Sequence, residues 1–227
     1  MKKYLLSIAL IFNLSLETSA HVNHYSNYNY LEYELFRNNK LIGYHIYKFQ
    51  RNGENLTINN EVSFKITKLG IDLYSYYASG VEKYKNGIFS GFKSETNQNK
   101  KQKYVNIEID QKDKNLIIDG SSFKGKVSND MIIGTWWNHE IVQKKAQISA
   151  VSGRIIEQKV EFLGKEDVKI GDKVYKTLRF NFSSSDPSLS KDKKLNTDIW
   201  YEEGTFLWIK AAFDKTGYWE YRLKKAE

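Results

Sequence analysis

Asp198, Glu202 and Glu220 share one parity of the stretch Asn196 to Lys224. Carboxylates gathered on one face of a sheet are what glycoside cleavage requires, one as acid and one as base or nucleophile. Lys210 and Arg222 share that parity too. Opposite charges on neighbouring strands pair directly, so the spacing predicts a cross-strand charge ladder before it predicts a catalytic pair. His139 beside Glu140 is the internal histidine with an adjacent carboxylate. Sequence neighbours rarely face one another, so a hydrolase would have to be assembled from Asp198, Glu220 and His139. His45 lies in a strand and reads as an aromatic filler. His21 and His24 form an H-x-x-H pair with no third ligand nearby, which is too few for a metal. The chain has no cysteine, no Gly-rich phosphate loop, no G-x-S-x-G elbow and no zinc-protease helix. It is read as non-catalytic, with no metal and no cofactor.

Tryptophans are the better candidates. Trp200 and Trp208 carry the same parity as the carboxylates, while Trp136 and Trp137 sit in Asn129 to Gln143, where strand alternation breaks. An indole offers a large apolar area and one polar tip, which suits a groove for a greasy or amphiphilic molecule. The plainer alternative is that these rings only pack. Adjacent Trp136 and Trp137 cannot point the same way, so one is expected to plug the sheet while the other covers an edge or lines a pocket. Trp136, Trp137, Trp200 and Trp208 are therefore the candidate ligand-binding residues.

Positioning these side chains requires a sheet. In Asn196 to Lys224 the odd positions Ile199, Tyr201, Leu207, Ile209, Ala211, Phe213, Trp219, Tyr221 and Leu223 are all apolar, and the even positions mix charge with aromatics. Turn residues around Gly204 and Gly217 divide the stretch into three strands. This predicts a meander whose odd face packs a core and whose even face meets water or a ligand. Upstream, Tyr30 to Arg37, Leu41 to Gln50, Leu56 to Thr67, Ile71 to Tyr84 and Ile88 to Thr96 repeat the alternation. Gly43 marks a bulge or bend. Arg154 to Leu163 and Glu166 to Ile170 read as strands on either side of Gly164, and Ser183 to Lys194, with the only proline, reads as a surface loop. The expected fold class is mostly β: a single large curved antiparallel sheet, a half-barrel or open barrel built mainly as a meander. A short helical or irregular crossover interrupts it, and residues 30–227 form one domain.

Met1 to Ala20 has the parts of a secretory signal peptide: Lys2-Lys3, an apolar run from Tyr4 to Leu16, and Thr18-Ser19-Ala20 before the cut. An uncleaved anchor is the alternative, but a span needs ~20 apolar residues, and this run is shorter and contains Asn13. Residues 21–29 then form a polar, flexible lead-in. Cleavage implies export, to the periplasm or beyond, with no transmembrane span left behind. The lack of cysteine excludes a lipid-modified N-terminus and any disulfide. The formal charge is +8, and removing Lys2, Lys3 and Glu17 leaves +7. Its lysines fall in turns and loops such as Lys100-Lys101 and Lys193-Lys194, which fits weak attraction to anionic envelope surfaces rather than nucleic acid.

Trp137-Asn138, Ser152-Gly153-Arg154, the strand Tyr175 to Phe182, Asp198-Ile199-Trp200-Tyr201 with Gly204 and Trp208, and Glu220-Tyr221-Arg222-Leu223 follow in that order. The series resembles a family of exported bacterial proteins defined as a domain of unknown function. The likeness spans most of the chain after residue 20 and departs at Phe213-Asp214-Lys215-Thr216-Gly217, where an Asp-Gly turn is usual. It implies an exported β protein and lends no catalytic residues. More remotely, the run of strands is similar to half-barrel carriers of lipoproteins and lipids in the envelope, an analogy of fold alone. The expected function is a non-catalytic envelope protein that holds an apolar or amphiphilic molecule in a sheet-lined groove. The alternatives are a protein- or glycan-interaction module using the same face, and the hydrolase built on Asp198, Glu220 and His139.

Overall fold

The structure is a computed structural model describing residues 25–191 and 193–227. The signal-peptide reading at 1–20, and His21 and His24 in the lead-in, lie outside the described residues.

Eight strands run as one arm: β1 (Tyr30–Arg37), β2 (Lys40–Asn52), β3 (Asn55–Lys68), β4 (Ile71–Lys85), β5 (Ile88–Gln98), β6 (Lys101–Ile109), β7 (Leu116–Gly120) and β8 (Lys124–Val127). A second arm follows: β9 (Ile132–Ile133), β10 (Ala146–Ile148), β11 (Ile155–Ile170), β12 (Lys173–Ser184), β13 (Asn196–Glu202), β14 (Trp208–Asp214) and β15 (Tyr218–Ala226). β1 pairs with β15, so the arms join at the centre of one 15-stranded sheet whose edges are β8 and β9. Every pairing is antiparallel except the short one between β9 and β10. Among the described residues no helix is long and apolar enough to cross a membrane.

Chain connectivity dictates the curvature. Laid flat, 15 strands would hold the two edges ~67 Å apart at the usual spacing of ~4.8 Å. Yet β8 ends at Val127 and β9 begins at Ile132, and that short link reaches at most ~18 Å. The sheet must therefore roll up. β8 and β9 do not pair, so the roll stays open rather than closing as a barrel. Phe92, Val105, Ile107, Leu116 and Ile118 of one arm meet Ile133 and Ile148 of the other across the interior. The arms also touch where Ser122 N donates to Ser152 O at 2.9 Å and where a Cβ on Gly120 would lie 2.6 Å from that carbonyl oxygen.

Three bulges bear on the expected strands and faces. Opposite Gly43 the register slips, so that Leu35 faces Gly43 while Phe36 faces Leu41, as the glycine suggested. Gly164 does not end a strand: β11 continues through it with a bulge between Phe162 and Gly164. A third bulge decides the candidate residues. Trp200 faces Lys210 but Tyr201 faces Trp208, so the extra residue puts Trp208 with Tyr201 on the inner side and leaves Trp200 outside. Strict alternation had placed the two indoles together. The lead-in differs as well, because Tyr25 is buried, stacked on Phe49 at 5.7 Å, and accepts a hydrogen bond from Trp208 N at 3.0 Å.

Replacing Gly120 with alanine forces a Cβ into the Ser152 carbonyl. Gly120→Ala is expected to lower stability by about 1–3 kcal/mol in urea denaturation. An unchanged midpoint would mean that the arms do not meet there.

Candidate ligand-binding site

The segment from Asn129 to Gly153 forms a strap across the inner side of the roll. Gly134 and the β-branched residues around it prevent one long helix, and only His139–Gln143 winds into a 3-10 turn, capped by Asn138 accepting from Glu140 N at 3.0 Å. An irregular strap exposes backbone carbonyls that no ladder satisfies. Sheet side chains supply the donors: Tyr47 OH donates to Thr135 O, Tyr201 OH to Trp136 O at 2.8 Å, and Gln158 Nε2 to Ile141 O and Lys144 O at 3.1 and 3.0 Å.

Trp137 is the plug. Its indole is fully buried, edge-on to Tyr25, Phe49 and Tyr84 at 5.4, 5.6 and 5.9 Å, and its Nε1 donates to Glu82 Oε2 at 3.0 Å. Glu82 is itself buried, with Tyr84 OH donating to Oε1 and Thr135 Oγ1 lying 3.4 Å from Oε2. All these donors are neutral. Burial pushes the Glu82 carboxyl up from its ordinary range, and the three hydrogen bonds only partly oppose that. One signal in the sequence points to this carboxyl: Glu82 shares parity with Ala78, Gly80 and Tyr84, a charge-bearing residue on the apolar side of its strand.

Beside Glu82 opens a cleft of about 810 Å3 between β4 to β7 and the strap. Phe89, Ile109, Leu116, Met131 and Ile132 give it apolar walls, with Lys114 and Lys144 at its border. Its size lies within the ~300–1,000 Å3 typical of small-molecule pockets.

The candidate tryptophans divide among three settings. Trp136 is half-buried, edge-on to Trp208 and Tyr221 at 5.6 and 5.5 Å, and adopts φ +62°. A bulky residue there carries strain of about 1–3 kcal/mol, offset by its ring contacts and the Tyr201 hydrogen bond. Trp208 is buried and stacked on Tyr33 at 4.0 Å. Trp200 lies on the outer face beneath Arg179 and Lys210, at 4.9 and 4.8 Å, and donates to Glu166 at 2.8 Å. Trp136 lines open space, whereas Trp137, Trp200 and Trp208 are held by the packing contacts just described.

The carboxylates form the ladder that their spacing predicted. Glu220 pairs with Lys210 at 2.8 Å and with Arg222; burial opposes its ionisation, but these two partners prevail and hold its carboxyl below the usual range. Asp198 pairs with Arg179 and accepts from Asn181 Nδ2 at 2.7 Å. His139 stacks on Phe206 at 4.4 Å within the interior, so the sheet separates it from both acids. Among the described residues no group of three or more His, Cys, Asp or Glu could hold a metal.

Residues 33–224 match the family described as a domain of unknown function, DUF6134. The chain belongs to that family. A comparison with curated proteins gives no match. Among solved structures, the chain is similar to a β-barrel-like protein of the domain of unknown function DUF1849 from Brucella abortus. Identity is 11%, the TM-score is 0.61, and the alignment covers 87% of this chain and 96% of that one. That likeness speaks to the fold: one large, mostly antiparallel sheet rolled without closing.

Because its folded-state pKa is raised, Glu82 costs stability increasingly as pH rises from the ordinary carboxyl range through that raised value, where the unfolded chain ionises first. Glu82→Gln removes this dependence. Its melting temperature relative to the parent is expected to rise between pH 4 and pH 8, and a pH-independent difference would show that Glu82 is not buried as a neutral acid.

Proposed function

We propose that this protein is an exported, non-catalytic envelope protein that holds an apolar or amphiphilic molecule in the cleft beside Glu82. The observation that carries the reading is the cleft itself: about 810 Å3 with mostly apolar walls, the buried Glu82 carboxyl, and Lys114, Lys144 and Glu140 also in its lining. Apolar walls remove a greasy tail from water at ~25 cal/mol per Å2. Lys114 and Lys144 suit an anionic head, and the neutral Glu82 environment tolerates an uncharged one. Export rests on the Met1 to Ala20 pattern. The interaction-module alternative has less support, because Trp200 on the outer face is covered by Arg179 and Lys210 instead of forming an exposed strip.

Native mass spectrometry of protein recovered from its own envelope is expected to show a chain beginning at His21 with a co-purifying lipid-like mass. The dye N-phenyl-1-naphthylamine is expected to bind purified protein, and Ile132→Glu to weaken it about tenfold or more by placing a charge on the wall. Consistently empty protein that ignores the dye would remove the reading. A chain still carrying Met1 to Ala20 would remove cleavage after Ala20 and favour the uncleaved anchor.

A further inference from the structure

Trp136 stands between two other spaces and is the one residue that lines both. On its inner side is a cavity of about 200 Å3 walled by β2 to β5 and by the strap at Gly134 to Trp136. On its outer side is a cleft of about 690 Å3 between the start of β11, the end of β14 and the approach to β13. Both are separate from the cleft beside Glu82.

Their chemistries are complementary. Among the described residues, Arg154, Lys191, Lys193, Lys194 and Lys215 line the outer cleft over an apolar floor of Ile156 and Phe213, with Asp214 as the lining acid. Such a concentration of one sign in a cleft favours an anion. The inner cavity is aromatic and polar, with Tyr47, Tyr76 and Tyr221 on its wall. His45 and Asn60 also line it, and His45 Nδ1 and Asn60 Nδ2 are buried without a protein partner. His45 is only 8% exposed, and burial pushes its imidazole down to about 3, so the ring is neutral and offers one donor and one acceptor. Buried polar atoms in native structures are almost always paired, so unpaired nitrogens on two residues that line the same cavity point to a ligand group. A hydroxyl answers both, donating to the imidazole and accepting from the amide. A cavity of ~150 Å3 accepts one benzene ring, so this one accommodates a ring with a small substituent.

We propose that the two spaces form one site for a small hydroxylated aromatic acid. The acid group lies among the cations of the outer cleft, and the ring passes beside Trp136 into the inner cavity, where its hydroxyl meets His45 and Asn60.

Isothermal titration with 4-hydroxyphenylacetate, phenylacetate and tyramine tests this. The hydroxy acid is expected to bind, phenylacetate to bind several-fold more weakly for want of the hydroxyl, and tyramine, with the opposite charge, about tenfold more weakly or less. Lys193→Glu with Lys194→Glu is expected to weaken the hydroxy acid about tenfold while leaving naphthylamine binding beside Glu82 and the melting temperature unchanged. Asn60→Leu is expected to erase the difference between the two acids. No binding of the hydroxy acid at millimolar concentration, equal binding of tyramine, or indifference to the lysine reversals would overturn the proposal. The lysine pair lies at the surface, so it decides the matter even where Asn60→Leu fails to fold.

Discussion

A link of a few residues ties the two edges of a very wide sheet, and the remaining architecture answers to that constraint. Strands that would spread over several tens of ångströms are obliged to curl until the edges come within reach of Val127 to Ile132. A curl of that kind encloses a volume too large for sheet side chains to fill alone. The strap occupies it, with Trp137 as its deepest side chain. Near the β9 edge an open cleft remains beside the strap.

Tyrosine is the residue that makes an irregular strap compatible with an apolar interior. Its ring packs like phenylalanine, and its hydroxyl reaches carbonyls that have no partner in a ladder. Tyr25, Tyr33, Tyr47 and Tyr201 each donate to a backbone carbonyl from the inner side. Charge is handled in the opposite way on the two faces. Outside, Glu220 pairs with Lys210 and Arg222, Asp198 pairs with Arg179, and Arg179 and Lys210 cover Trp200. Inside, Glu82 meets only neutral donors, and an isolated charge there would be costly. The outer face is thus closed by ion pairs, while unmatched polar groups such as His45 Nδ1 lie on the inner side.

Much of the fold could be read from alternation alone. Apolar residues every second position at Ile199, Tyr201, Ala211, Tyr221 and Leu223 do line the inner side, and the break in alternation from Asn129 is the strap. Alternation failed at bulges. One extra residue near Ile209 moved Trp208 to the opposite face from Trp200, and no local feature of Leu207-Trp208-Ile209 announces it. Glu82 was legible in principle, as an acid on an apolar parity, but its isolation from cations depends on Thr135 and Trp137, more than fifty residues away.

The amino-acid order by itself determined a β-rich chain, its hairpins, its family resemblance and the charge ladder, because these depend on side-chain period and on neighbours across short turns. Only the tertiary structure decided where that interior face slips at bulges, which indoles meet and where the cavities lie. Those outcomes depend on the accumulated curvature of 15 strands and on single-residue register shifts, and both arise from packing between segments far apart in the chain.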